Sequence, residues 1–239
     1  MEQPVTSESE WLEALQCASH WYPNMQRVVV VAPHPDDEVL GTGGMIAERC
    51  REKLPVLVVA VTDGEAAYPS APDLGALRRV EQERALRAVG LSGGDIVRLG
   101  LPDGDVSAFE DSLVESLREI LTADSVLVAP WELDSHPDHE ACGRAAVRAA
   151  EACDSELVSY LFWAWHRRRP ESLLPLAPRK FELDPELRTA KALALTEYRS
   201  QLKWEAGEPI LPELLLAPAR RSFETFIVHG DRHQHGDKY

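Results

Sequence analysis

Short apolar runs alternate along the chain with longer stretches of helical period. Runs of four to six apolar residues suit strands buried on both faces, and the stretches between them are long enough to be crossover helices of a parallel sheet. The pattern predicts strands over Arg27–Ala32, Val56–Val61, Ile96–Leu99, Ser125–Ala129, Leu157–Trp165 and 223–229. It predicts helices over Glu38–Lys53, 73–90, Phe109–Leu121, Pro137–Cys153 and 185–203. The helix over 73–90 sets Leu77, Val80, Leu86 and Val89 near helical spacing and stops at Gly90, glycine being a common helix stop. Pro102-Asp-Gly104 reads as a turn, and 167–178 and 205–218 as loops. Residues 9–22, with Trp11, Leu12, Leu15 and Trp21, read as an extra amphipathic helix that covers the core or forms an oligomer contact. The expectation is a single α/β domain over 1–239, with a helical extension at 1–25 and a polar tail at 230–239.

Two of the predicted strands run into nearly the same sequence. Val28–Val31 leads into His34-Pro-Asp-Asp-Glu38, and Val126–Val128 leads into His136-Pro-Asp-His-Glu140. Ligands of parallel α/β sheets bind outside the carboxyl ends of the strands, so both clusters are placed to meet over one sheet edge. Zinc takes imidazole nitrogen and carboxylate oxygen, and a catalytic site needs three such ligands plus an open position. His34, Asp36, Asp37, Glu38, His136, Asp138, His139 and Glu140 exceed that number. The surplus suits a hydrolase, which also needs a base beside the water and a group facing the oxyanion. Either cluster alone is equally well read as a helix N-terminus with acids at the positive end of the dipole. Its repetition in the same strand-to-helix context favours the metal. Each proline stiffens the turn and suits a first helical turn.

Charge narrows the partners. Against 25 Lys and Arg stand 40 Asp and Glu, a formal net charge of -15, which disfavours nucleic acid and anionic membranes and leaves a small molecule as the easier partner. Cys17, Cys50, Cys142 and Cys153 form no C-x-x-C pair and read as buried thiols of a reducing compartment. The first ten residues lack the basic and apolar regions of a signal peptide, and no apolar run is long enough to span a bilayer, so a cytoplasmic location is expected.

The two clusters, with Gly41-Thr-Gly-Gly44, Thr62-Asp-Gly-Glu65, the Arg78-x-x-Glu81 helix, Leu101-Pro-Asp-Gly104 and Tyr198-Arg-Ser-Gln201, resemble the LmbE-like (PIG-L) family of metal-dependent N-deacetylases over most of residues 27–229. The resemblance implies a Rossmann-like three-layer sandwich with a mostly parallel central sheet. It implies that His34, Asp37 and His139 bind the metal, and that Asp36 is the general base. His136 would stabilise the tetrahedral intermediate or protonate the leaving amine, with Asp138 orienting or tuning it. Arg78 and Asp63 would contact substrate. Two departures limit the transfer. Asp134 stands where the thiol-precursor deacetylases have a tyrosine, and Tyr198 where many relatives have histidine.

The function expected is removal of an N-acetyl group from an N-acetylglucosamine-like small molecule or glycoconjugate, with Zn2+ as cofactor and Fe2+ as the other divalent metal that fits. An amidase of the same fold cleaving a larger acyl group or a thiol conjugate is the alternative, followed by a noncatalytic metal-binding module. Other features read more plainly. Gly41-Thr-Gly-Gly44 reads as close packing, Arg167-Arg-Arg169 as a solvated loop ahead of an anion clamp, and Trp163 and Trp165 as one alternating strand packed on the core ahead of a sugar site. His229, His233 and His235 read as a polar tail rather than a second metal site, and a homo-oligomer is compatible with the chain.

Overall fold

The computed structural model describes residues 3–23, 26–68, 71–203 and 208–230. The strands are β1 (Arg27–Ala32), β2 (Val56–Ala60), β3 (Ile96–Arg98), β4 (Ser125–Pro130), β5 (Glu156–Tyr160), β6 (Arg179–Glu182) and β7 (Phe223–His229). They form one sheet in the order β3-β2-β1-β4-β5-β7-β6. The first five are mutually parallel, and β7 runs antiparallel to both β5 and β6. The helices are α1 (Glu8–Ala14), α2 (Asp37–Arg51), α3 (Leu74–Ala88), α4 (Glu110–Ile120), α5 (Pro137–Cys153), α6 (Ala164–Arg167), α7 (Pro170–Leu173), α8 (Pro185–Leu195) and α9 (Arg199–Leu202).

Successive strand side chains point to opposite faces, and the valine runs use both. Val28, Val30, Val58, Val126 and Val128 pack with α2, α3 and α8 through Ile46, Leu86 and Leu187. Val29, Val31, Val59 and Leu127 pack on the other face with α4 and α5 through Leu113, Leu117, Ala145 and Ala149. That is the three-layer sandwich, and it explains why the strands read as continuous apolar runs. The chain leaves β1 toward β2 and β3, then returns to lay β4 on the other side of β1. This reversal opens a crevice at the carboxyl ends of β1 and β4, where both histidine clusters begin. Among the described residues no helix is long and apolar enough to cross a membrane.

Several expectations are corrected. The strand expected to reach Trp165 ends at Tyr160, because Asp134 accepts the backbone N–H groups of Phe162, Trp163 and Ala164 (3.0, 3.1 and 3.0 Å) and turns the chain out of the sheet. Trp163 and Trp165 therefore share no strand. The helix expected over 185–203 breaks into α8 and α9 around Tyr198, where Glu81 takes the backbone N–H and hydroxyl of Ser200 at 2.9 and 2.6 Å. Leu77 and Val80 are 44% and 43% exposed, and the inner face of α3 is Arg78, Glu81, Gln82, Ala85 and Leu86. That face borders a polar site. The N-terminal helix stops at Ala14, so Trp11 packs edge-on to Trp165 (4.9 Å) while Trp21 sits outside the helix. Short helical turns occupy part of 167–178, and β6, just beyond that loop, is a four-residue edge strand in a stretch for which the pattern predicts no element. All four cysteines are free, but only Cys142 is fully buried, and Cys17 is exposed. His233 and His235 lie outside the described residues.

Candidate metal centre

Both strand-to-helix turns carry backbone strain. Asp36, the N-cap of α2, has φ 150°, and Ser135, just ahead of the N-cap His136 of α5, has φ 70°. Non-glycine residues hold such angles only where the surroundings over-determine them. For Asp36, the surroundings are Glu38, whose carboxylate accepts the Asp36 N–H at 3.3 Å, and Gln201, whose side-chain amide donates to the Pro35 carbonyl. Tyr198 fixes Glu38 in turn, donating its hydroxyl at 2.7 Å, and burial raises the Glu38 carboxyl to about 7. Pro137 is the first residue of α5, as expected, but Pro35 lies ahead of α2, so the first-turn argument holds for the second cluster only. Gly41 is needed for close approach, since a Cβ there would lie 2.8 Å from Cγ of Tyr160.

His34, Asp37 and His139 converge as expected. Asp37 Oδ2 is 3.1 Å from His34 Nδ1 and 3.2 Å from His139 Nε2. The far nitrogen of each ring faces a carboxylate. His139 Nδ1 meets Asp134 Oδ2 at 2.8 Å, and His34 Nε2 meets Asp138 Oδ2 at 3.1 Å and Asp103 Oδ1 at 3.2 Å. With a cation beside Asp37, the far nitrogens would keep their protons directed at these carboxylates, and His34 Nδ1 and His139 Nε2 would turn their lone pairs to the ion. His139 Nε2 is buried without a hydrogen-bond partner. Three potential ligand atoms thus converge on one place, an arrangement that suits a cation.

Without a metal, protons on the two rings meet this demand for positive charge. Burial disfavours a charged His139, yet Asp37 and Asp134 outweigh it and raise its pKa to about 9. Burial also opposes a charged His34, and Asp103, Asp138 and Asp37 overcome it to raise its pKa well above the usual imidazole value. Asp37 is likewise held below the usual carboxylate range against its burial, chiefly by His139. A second grouping, His34 with His136 and Asp138, is also close enough to share an ion. It would leave His139 Nε2 unsatisfied, so the first grouping fits better.

The remaining predicted residues divide. Asp36 is buried beside Asp37, and burial followed by that neighbouring charge raises its pKa well above the usual carboxylate range. It lines a cavity of about 240 Å³ together with His34, Asp37, His136, Asp138 and Arg78. Arg78 is buried there, donating to the Gly64 carbonyl at 2.7 Å and to Gln201 Oε1 at 3.2 Å. Asp63 is not among the lining residues and pairs instead with Arg79 at 3.5 Å. Asp103, which the sequence presents only as part of a motif, lines the cavity and faces His34. The acid of its Pro-Asp-Gly turn is visible in the sequence; its pairing with a histidine 69 positions earlier (103 − 34) is not.

Asp138 does not hydrogen-bond His136. Its oxygens take His34 and the backbone N–H groups of Gly104 (2.9 Å) and Val106 (3.2 Å). His136 Nδ1 is buried and unpartnered, and burial, then His139 and His34, lower its pKa to about 4. The ring is a neutral imidazole near neutral pH.

Comparison with known proteins agrees with this geometry. The chain is 31% identical over 135 residues to a probable N-acetyl-alpha-D-glucosaminyl L-malate deacetylase 2 of Bacillus subtilis (strain 168), covering 52% of this chain and 60% of that one. It is 24% identical over 217 residues to a diacetylchitobiose deacetylase of Thermococcus kodakarensis, covering 82% and 78%. The matched segment thus spans about 60% of the first of these relatives. Among solved structures, the N,N'-diacetylchitobiose deacetylase from Pyrococcus horikoshii superposes with a TM-score of 0.63 at 21% identity, covering 94% of each chain, and shares the fold. A conserved protein from Thermus thermophilus superposes with a TM-score of 0.64 at 27% identity, covering 84% of this chain and 94% of that one. Residues 29–150, just over half of the 239, match the family model described as PIG-L, GlcNAc-PI de-N-acetylase, and carry both histidine clusters: the chain belongs to the PIG-L family.

Proposed function

We propose that the protein is a metal-dependent hydrolase that removes the acetyl group from an N-acetylglucosamine-like small molecule or glycoconjugate. The observation that carries this reading is the convergence of His34 Nδ1, His139 Nε2 and Asp37 Oδ2 beside the buried carboxyl of Asp36. His34, Asp37 and His139 would hold the ion, zinc in our reading, with ferrous iron compatible with the same nitrogen and oxygen donors. When bound, a divalent ion polarises the acetyl carbonyl and acidifies water beside it.

The chain's own residues supply the rest. Asp36, with its raised pKa, is poised to take the water proton as the C–O bond forms and to return it to the amine nitrogen as the C–N bond breaks. His136 enters as a neutral imidazole, which suits an N–H donor to the oxyanion better than an acid at neutral pH. Asp138 holds the tautomer of His34 and makes no hydrogen bond to His136, on which it acts only through its charge. Arg78 offers a buried guanidinium at the cavity wall, and Asp103 lines the cavity beside it. The cavity is smaller than the roughly 300–1,000 Å³ usual for drug-sized ligands, which favours one sugar ring with the rest of the substrate at the surface. The names of the relatives, deacetylases of N-acetylglucosaminyl and diacetylchitobiose compounds, support the substrate class.

The test is metal analysis coupled to acetate release from a panel of N-acetylated sugars, with longer acyl chains as controls. Zinc or iron near one equivalent with acetate release is expected. A protein that carries no divalent metal after metal-replete purification, or that prefers longer acyl groups, would refute the reading.

A further inference from the structure

We propose that Trp163, with Arg167, is a positioning residue that holds the His136 imidazole in its working orientation by stacking rather than by a hydrogen bond. The inference rests on the reading of His136 as the oxyanion donor. Catalytic histidines are commonly oriented by a hydrogen bond to the second ring nitrogen, and here that bond is missing: Nδ1 is buried without a partner, and the adjacent acid Asp138 is committed to His34. The near-parallel surface against His136 is the indole of Trp163, with ring centroids 5.7 Å apart and planes 19° from parallel. His34 and His139 meet His136 at steeper angles of 82° and 56°.

The indole is itself fixed. Its backbone N–H is one of the three taken by Asp134, the same carboxylate that holds His139. Phe162 meets its ring edge-on at 5.3 Å, and the Arg167 guanidinium carbon lies 4.4 Å from the ring centroid. Arg167 also donates to the carbonyl of Ser135, the strained residue just before His136, and Arg168 Nε donates to the Ser135 hydroxyl at 3.1 Å. The segment from 163 to 168 therefore grips His136 twice, by its ring and by the backbone ahead of it. Arg167 and Arg169 are exposed, as a solvated segment would have them, but Arg167 and Arg168 also hold the Ser135 turn. A stack makes no hydrogen-bond demand on the ring, so Nε2 can serve substrate alone.

The experiment compares Trp163→Leu with Trp163→Phe, each in wild-type and His136→Ala backgrounds, on metal-loaded full-length protein with an N-acetylated sugar. Trp163 is half-buried and packs against the edge of the core, so the melting temperature of each variant is measured alongside its kinetics. Trp163 also lines the cavity, so a change in KM is expected in either background and kcat is the readout: in the wild-type background Trp163→Leu should lower kcat about tenfold or more, and Trp163→Phe by no more than about threefold. In the His136→Ala background Trp163→Leu should change kcat less than about twofold, since a residue acting through His136 has nothing left to act through. Independently of turnover, the His136 imidazole resonances, assigned by their loss in His136→Ala, should broaden or split in Trp163→Leu and stay single in Trp163→Phe. Equal losses in both backgrounds, or an unperturbed His136 resonance in Trp163→Leu, overturns the proposal. A wild-type protein that releases no acetate sinks the proposed function, and the resonance comparison then still decides the stacking role.

Discussion

Replacing Asp134 by Asn tests the core of the site with a near-isosteric change. The Asp134 carboxylate is fully buried and accepts four N–H groups: Phe162 and Ala164 on Oδ1, Trp163 and His139 Nδ1 on Oδ2. An amide has one acceptor oxygen, so in either rotamer two of the four bonds are lost and an NH2 group faces two donors. Hydrogen bonds to a charged group contribute roughly 1.5–3 kcal/mol each, so the fold should lose about 3–6 kcal/mol. If the NH2 faces His139, the imidazole must shift its proton to Nε2, the nitrogen aimed at the metal; if it faces the turn at 162–164, His139 still loses the negative charge that raises its basicity. Either way metal affinity should fall by about 10–100-fold, the usual range for losing such a supporting carboxylate. Denaturant unfolding of metal-stripped protein measures the first quantity, and competition with a chelator the second. A variant that binds metal within about twofold of wild type would refute the tautomer argument, whatever its stability.

Three further outcomes follow from the packing and the charges. Asp36→Asn should keep its metal and lose roughly 10²–10⁴ in kcat, checked by metal content and acetate release; turnover at the wild-type rate would remove Asp36 as the base. Gly143→Ala should destabilise the fold by about 1–3 kcal/mol, because the new Cβ would stand 2.6 Å from the backbone of Glu132, which has little room to give; an unchanged melting temperature would contradict that. His166 is buried neutral, its pKa lowered from 6.5 to about 4 by burial and then by Arg221 and Arg167. The unfolded chain binds this proton first as pH falls, so its contribution to stability is full above about 6.5 and is lost toward pH 4, by up to roughly 3 kcal/mol. His166→Gln should flatten the stability profile over that window, and an unchanged slope would count against it.

How far the chain can be read depends on whether the determining partner lies nearby in sequence. Valine runs buried on both faces announce a parallel sheet, and a histidine cluster at a strand end announces a site, because both are local patterns. Expectation and structure part where a distant polar group overrides the local pattern. Leu157–Trp165 has the composition of one strand, but Asp134 captures the backbone donors of 162–164 and ends the ladder at Tyr160. Leu77 and Val80 have core spacing, yet α3 turns Arg78, Glu81 and Gln82 inward because their partners, Gly64, Ser200 and Arg98, wait there. Asp134 itself stands out in the sequence only as a departure from relatives with tyrosine. Its role needs its own turn and residues 162–164 to be brought together, and no spacing encodes that.

The same long-range contacts explain why the strain sits where it does. Asp36 and Ser135 hold unfavourable backbone angles at the ends of the two adjacent strands β1 and β4, which are clamped in register from Arg27↔Ser125 to Val30↔Val128. With the strands fixed, each turn must bend sharply to aim a histidine across the crevice, and each bend is held by side chains from elsewhere: Glu38 and Gln201 for the first, Arg167 and Arg168 for the second. Such strain, of order 1–3 kcal/mol per residue, persists only when the surroundings over-determine it. The donors aimed at Asp37 add a further unfavourable element, since their lone pairs oppose one another until a cation, or protons on the histidines, lies between them. Two strained turns and converging ligand atoms are unfavourable for folding alone, and a divalent ion at the point on which they converge would offset both.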